Sequence, residues 1–357
     1  MDWSATTTTS AAGAASSEAG SPIVGRDNHT IVITWLHSGM YTMNKPSRET
    51  LTVNAIRLFL VTLLPFSCAV PPVVASEAPS RGGALQTYPM QAIAPTIAAL
   101  LGVPAPKQAE SPPIEPVLKD LQGSKKVAIL GVDAFGAAIW NRMRDKTPYL
   151  NGLAAANNQA QLRSVLPSVT CVNFGCMITG GSQKTTGITT FDSKLACEDL
   201  LSVLRAHGMR SGGFGRKDYT GDRLLGRYAD LSVPGKAGDL EVMAGLMEVV
   251  EEKTLEFVIV QYGKTDDVFH AHGPFSQEAA EACAEADAWL KTLVPWLRAQ
   301  GYAIIITADH GQHEITRNNG TTAGAHGSAS DLDCLVPLVW LPSVAPATES
   351  PKTFHPQ

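Results

Sequence analysis

The sequence predicts an α/β protein: a mostly parallel sheet with helices on both faces. Three observations predict it. Short aliphatic and β-branched runs such as KKVAILGVD (125–133), LEFVIVQYG (255–263) and YAIIITADHG (302–311) read as buried strands ended by Gly or Asp. Segments with apolar residues at helical spacing lie between them. The chain of 357 residues is 44% hydrophobic, enough to build a substantial core. Strands separated by helices imply crossover connections, hence parallel neighbours, and ligand sites then gather at the carboxyl ends of the strands.

Each element follows in order. Residues 1–30 are rich in Ser, Thr, Ala and Gly and have little to bury, and residues 1–89 as a whole read as a disordered or leader-like extension. Within it, residues 55–78 place Arg57 ahead of an apolar run broken by Pro65, too short for a stable membrane span. Export is expected if residues 43–78 act as a signal peptide. Otherwise the location is cytoplasmic, in keeping with six Cys that include no C-x-x-C pair. The folded domain is expected over 90–342, with 343–357 as a tail.

After the strand at 125–133, TPYLNGLAAAN reads as a helix and QLRSVLPS as a second strand. LACEDLLSVLRAHG (195–208) is helical with Gly208 as its stop, and DLEVMAGLMEVVEEK is the next helix. The segment from Ser276 to Gly301 opens on Ser276 as N-cap and carries Lys291 and Arg298 late, as the helix dipole prefers. CLVPLVWLP is the last strand. Between Ile188 and Glu256 the few short elements are too little for a large cap domain.

Charge narrows the function. Lys+Arg 28 against Asp+Glu 33 gives a net charge of -5 with no basic stripe, so binding to duplex nucleic acid is not expected. A small phosphorylated or otherwise anionic substrate would need a local positive centre. The polar residues at the strand ends supply the means. Asp133 ends one strand, Thr170 follows the next, Asp266 and His270 follow FVIVQYG, and Asp309 and His310 end AIIITADH. His326, in the Gly-rich loop TTAGAHGSAS, precedes the last strand. Three Asp, three His and one Thr are hard oxygen and imidazole donors that suit two divalent ions, Zn²⁺ or Mn²⁺. Taken singly, Asp133 and Asp309 would serve as helix caps, His326 as a surface histidine, and Asp266 with His270 as solvated neighbours. Asp267 and His272 read as supporting or solvent groups, and His313 as a residue that either lines the pocket or does not.

The pieces GVDAFG, PSVTCVNFGCMITG, DDVFHAHGP, TADHG and GAHGS together resemble the alkaline phosphatase superfamily, most of all its nucleotide pyrophosphatase/phosphodiesterase branch, over about residues 125–342. The resemblance implies an alkaline phosphatase-like core. One metal would be held by Asp133, Thr170, Asp309 and His310, the other by Asp266, His270 and His326. Asn173 would donate to a phosphoryl oxygen. Thr170 would attack phosphorus in line, giving a phospho-threonine that water then hydrolyses. Two divalent cations against three carboxylates leave a net positive charge, and Thr170 at a helix start adds backbone N–H groups for an incoming phosphate. Cys171 and Ser168 are the competing nucleophiles; a thiolate suits oxygen-loving metals poorly. A phosphomutase of the same superfamily and a non-catalytic phosphate-binding relative are the alternatives. The sequence departs from the family at Thr186, where a His is common.

One segment stands out of its usual order. In many members a stretch similar to IAPTIAALLGVPAP follows the last core strand, whereas here it lies at 93–106 within MQAIAPTIAALLGVPAPKQ (90–108). A circularly permuted helix is expected, with Gly102 as its stop and Ile93, Ile97, Leu100 and Leu101 buried beside LVPLVWLP.

Overall fold

The computed structural model describes residues 85–156 and 158–344. Residues 1–84 of the leader-like extension, with the candidate signal-peptide stretch 43–78, and most of the C-terminal tail lie outside them. The strands are β1 (Thr87–Pro89), β2 (Lys126–Val132), β3 (Asn158–Arg163), β4 (Ser211–Phe214), β5 (Phe257–Tyr262), β6 (Tyr302–Thr307), β7 (His313–Thr316), β8 (Thr322–Ala325) and β9 (Leu335–Leu341). Helices α1 (Ile93–Leu101) and α2 (Glu115–Asp120) precede β2, and α3 (Ala137–Arg142) and α4 (Pro148–Ala156) link it to β3. Between β3 and β4 run α5 (Thr170–Thr179), α6 (Gln183–Thr186) and α7 (Leu200–Ala206). Then come α8 (Gly226–Tyr228) and α9 (Asp239–Glu252) before β5, α10 (Lys264–His272) and α11 (Gln277–Ala299) before β6, and α12 (Asp331–Cys334) before β9.

The main sheet has the order β1-β3-β9-β6-β2-β5-β4, and β7 with β8 forms a separate antiparallel hairpin. The centre is parallel: β2 lies between β5 and β6, and β4 extends the sheet beyond β5. Strand β9 is antiparallel to both β3 and β6. The chain leaves β6 at one edge, turns through the hairpin and α12, and re-enters from that same edge, so β9 must run backwards. Every residue of β5 and β6 is buried, as strands covered on both faces require. The carboxyl ends of β2, β3, β5 and β6 therefore share one edge.

Three elements depart from expectation. The sheet begins at Thr87, ahead of the expected boundary at 90, because Thr87–Pro89 pairs with Gln161–Arg163. Helix α7 starts only at Leu200, because the Asp199 side chain accepts from the Ser202 N–H at 2.9 Å and so caps it there. Helix α1 ends at Gly102 (φ 74°) as expected, with Ile93 and Ile97 fully buried. It packs chiefly on α5 and α2 rather than beside β9, and Leu100 is only half-buried. The chain beyond it returns over the end of α5, where the Glu110 N–H donates to Gly180 O at 2.9 Å. Gly180 has no Cβ to obstruct this approach; one would stand 2.8 Å from Ala109 Cβ.

Ser276 caps α11 as expected, accepting from the Ala279 N–H at 3.0 Å. Among the described residues no second compact unit stands over the sheet edge, and no helix is long and apolar enough to cross a membrane.

Candidate metal centre

Two clusters of ligand-type side chains form at the shared edge. The first unites Asp133, which follows β2, with Asp309 and His310, which follow β6; all three are buried. His310 Nε2 lies 3.6 Å from Asp133 Oδ1, 3.2 Å from Asp309 Oδ2 and 3.1 Å from Thr170 Oγ1. Each carboxylate is half committed. Asp133 Oδ2 accepts from Gln261 Nε2 at 2.5 Å, and Asp309 Oδ1 accepts from the Ala134 N–H at 3.1 Å. The other oxygen of each, Asp133 Oδ1 and Asp309 Oδ2, is buried without a hydrogen-bond partner. Burial, then the charges of Asp309 and Asp266, pushes the Asp133 carboxyl well above the ordinary Asp range.

The second cluster unites Asp266 and His270, one turn apart on α10, with His326 after β8. His270 Nε2 and His326 Nε2 lie 3.4 Å and 3.8 Å from Asp266 Oδ1 and 3.0 Å from each other. Asp266 Oδ1 also accepts from Gln312 Nε2 at 2.6 Å. The clusters adjoin: the His310 and His326 rings stack with centroids 3.9 Å apart. Burial and the neighbouring His310 lower the His326 pKa.

The histidines share one device. Nδ1 of His270 faces Gly324 O, that of His310 faces Gly311 O and that of His326 faces Ser168 O, each at 3.0 Å. A carbonyl can only accept, so Nδ1 carries the proton and each Nε2 presents a lone pair. Three such nitrogens with two unpartnered carboxylate oxygens fit cations of the borderline or hard class, Zn²⁺ and Mn²⁺ among them. The backbone permits the convergence. Ala134 adopts φ 59°, an uncommon conformation for a non-glycine residue, and a Cβ on Gly136 would stand 2.7 Å from Gly311 Cα, so the turns after β2 and β6 touch backbone to backbone.

Thr170 is the first residue of α5, so the helix's unsatisfied N–H groups gather beside its hydroxyl. Its rivals are occupied or inert. Ser168 Oγ donates to Ser328 O at 2.8 Å and accepts from the Gly327 N–H at 3.1 Å, holding the loop that carries His326. The Cys171 thiol is buried, which raises its pKa.

Asn173 requires a correction. Its side chain is fully buried and committed to backbone: Oδ1 accepts from the Val165 N–H at 2.8 Å, and Nδ2 donates to Val165 O at 3.3 Å and Val169 O at 3.1 Å. It clamps the turn between β3 and α5 and has no free donor to offer a phosphoryl oxygen. His313 pairs with the buried Asp333 at 2.8 Å instead of joining either cluster. Asp267 receives Arg216 and Tyr219, and His272 lies 3.9 Å from Glu278.

Sequence reasoning missed Gln261, Gln312 and Arg216. A lone Gln inside the buried run VIVQY was the available signal for Gln261, since a buried amide needs a partner. A cavity of about 700 Å³ lies elsewhere: it opens between α9 and α11, lined by Met243, Tyr262 and Trp289 among others.

Comparison with known proteins gives the following. The family model for type I phosphodiesterase / nucleotide pyrophosphatase matches residues 127–196 and 213–325. A 2,3-bisphosphoglycerate-independent phosphoglycerate mutase of Bacteroides fragilis is 30% identical over 117 residues, which are 32% of this chain and 23% of the mutase. The chain thus matches less than a quarter of that relative's length. Phosphonoacetate hydrolase from Sinorhizobium meliloti 1021, solved with phosphonoformate, aligns with a TM-score of 0.46 at 16% identity, over 56% of this chain and 60% of its own. Murine ectonucleotide pyrophosphatase / phosphodiesterase 5 aligns with a TM-score of 0.46 at 17% identity, over 54% and 58%.

Proposed function

Because the chain belongs to the type I phosphodiesterase / nucleotide pyrophosphatase family, within the alkaline phosphatase superfamily, we propose that it is a two-metal phosphoryl hydrolase with Thr170 as its nucleophile. The observation that carries this reading is the position of Thr170 Oγ1, 3.1 Å from His310 Nε2 in a cluster whose carboxylates each keep one oxygen unpartnered. Asp133, Thr170, Asp309 and His310 would hold one divalent cation, and Asp266, His270 and His326 the other. Bound there, the cations would supply Lewis acidity, easing deprotonation of a hydroxyl or a water and offsetting charge on the phosphoryl and leaving oxygens.

The chain's own residues do the rest. The start of α5 turns its N–H groups toward an anionic phosphoryl group and sets the Thr170 hydroxyl against phosphorus. Attack forms the Oγ1–P bond as the bond to the leaving oxygen breaks, giving a threonyl phosphoester that, for a diester, keeps the other ester group. Water then cleaves the Oγ1–P bond, releasing the phosphomonoester and restoring the hydroxyl. Gln261 and Gln312 hold Asp133 and Asp266 in orientation throughout. Among the described residues no cap domain is present, which supports phosphodiesters or pyrophosphates with large leaving groups as the substrate class.

The mutase alternative rests on the 117-residue match, and it requires the phosphoryl group to return to a retained substrate. Metal analysis and turnover of bis-p-nitrophenyl phosphate against p-nitrophenyl phosphate separate the readings. Two metals per chain and faster cleavage of the diester are expected. Phosphoryl transfer to a sugar hydroxyl with no release to water would favour the mutase, and metal binding without turnover would favour a non-catalytic relative.

A further inference from the structure

One guanidinium holds two carboxylates behind the second cluster. Arg216, in the turn after β4, donates from Nη2 to Asp267 Oδ2 at 2.6 Å and places Nε 3.6 Å from Asp239 Oδ1. Its Cζ lies over the Tyr219 ring, 4.0 Å from the centroid, and the Tyr219 hydroxyl reaches the two Asp267 oxygens at 2.8 and 3.0 Å. The Arg216 side chain is only 12% exposed.

Both carboxylates bear on the start of α10. Asp239, the first residue of α9, accepts from the Gly263 N–H at 2.9 Å and the Lys264 N–H at 3.1 Å, so it caps α10 from another element. Asp267 sits within the first turn of α10, next to Asp266. A helix held at its first N–H groups and again at its fourth residue cannot slide or rotate freely about its axis. Asp266 and His270 share one face of α10, whereas His326 arrives from a different element, so any rotation of α10 would carry two ligands away from the third together.

We propose that Arg216 is a positioning residue for the second metal site: by gripping Asp239 and Asp267 at once it fixes the rotation of α10 that brings Asp266 and His270 to His326. This rests on reading those three residues as a metal site. The choice of Arg follows from its extended, delocalised charge, which hydrogen-bonds Asp267 and stays 3.6 Å from Asp239 while its Cζ lies over the Tyr219 ring; a Lys ammonium is a compact point charge that does not stack. Buried ion networks contribute little net stability compared with apolar packing but constrain geometry, which is the property a ligand-bearing helix needs.

The test titrates zinc into the chelator-stripped full chain, with thermal unfolding of the stripped protein followed in parallel. Wild type should bind in two steps, one of which Asp266→Ala abolishes. Arg216→Met should weaken that same step about tenfold or more and leave the other unchanged, with Arg216→Lys in between. A wild type lacking any zinc step sensitive to Asp266→Ala would overturn the metal-site reading itself. If that step exists and Arg216→Met leaves it undiminished, or weakens both steps in proportion to a lost unfolding temperature, only the assignment to Arg216 fails.

Discussion

The Nε2 atoms of His270 and His326 face each other at 3.0 Å, and neither can donate to the other, because both Nδ1 protons are committed to the carbonyls of Gly324 and Ser168. Two lone pairs at that distance repel. A cation or a proton between them turns the repulsion into attraction, and the adjacent Asp266 carboxylate favours either. The lowered pKa of His326 works against the proton, and under the proposed two-metal reading a cation relieves the contact.

Metal removal should therefore destabilise the protein, and Asp133 gives the effect a pH signature. Without a cation its folded-state pKa is raised above the unfolded value, so as pH rises from the ordinary Asp range the unfolded chain releases its proton first. Folding stability falls across that interval, up to the raised folded pKa. Asp133→Asn removes the ionisation while still offering an oxygen to Gln261. In chelator-treated protein the variant should unfold at a higher temperature than wild type, by a margin that widens as pH rises; in metal-loaded protein it should unfold lower. Identical melting of variant and wild type across the chelated series would show that Asp133 is not held protonated by its surroundings.

Thr170→Ala should reduce turnover by at least about a thousandfold while the unfolding temperature of the metal-free chain stays close to wild type. Removing the hydroxyl deletes the proposed nucleophile but only one of four ligands. Trapping with a slow diester followed by mass analysis should find Thr170 in wild type carrying the phosphoryl group together with the one ester substituent that does not leave. The same group found on Ser168 instead, or turnover surviving in the variant, contradicts the assignment.

Asn173→Ala should cost roughly 1–3 kcal/mol of stability by leaving the Val165 N–H buried without its acceptor. Because the side chain clamps the turn through both its oxygen and its amide N–H groups, Asn173→Asp, which keeps the acceptor oxygen but turns a second oxygen on the Val165 and Val169 carbonyls, should not recover that loss at neutral pH. Chemical denaturation of the three proteins decides it. Undiminished stability in Asn173→Ala, together with a loss confined to turnover, would return Asn173 to the phosphoryl group.

Ile97→Ala should cost about 2–5 kcal/mol, the usual range for truncating a fully buried aliphatic side chain. The position lies on α1, which packs against the helix bearing Thr170, so the variant should lose activity at lower temperature than wild type but keep its activity at low temperature. A cost below about 0.5 kcal/mol, ordinary for surface positions, would mean that α1 is not part of the core.

The elements most legible in the sequence were those whose identity is local. Buried parallel strands announce themselves as short aliphatic runs, and KVAILGV, FVIVQY and YAIIIT all formed where the pattern placed them. Ser276 and Gly102 marked their helix ends because a side-chain cap and a left-handed stop act within a few residues. Asp133, Asp266, His270, Asp309, His310 and His326 could be named because the end of a strand in a parallel sheet fixes which edge a residue reaches. The structure brings Asp133, Asp309 and His310 together, with Thr170 beside them, and Asp266, His270 and His326 together in a second group.

Other features had no local signal. That Asn173 turns inward to the 165–169 turn, that Arg216 joins Asp239 to Asp267, and that α1 lies on α5 and α2 depend on contacts between residues far apart in the chain. Spacing and composition specify which groups a segment offers and to which face. They do not specify the rotamer or the distant partner, because each is selected by the free energy of the whole packed arrangement, in which a buried donor takes whichever acceptor the fold brings within 3 Å or so. Sequence alone thus determined the sheet and the polar residues along its edge, and the tertiary structure decided which of those groups meet and which are tied up in supporting contacts.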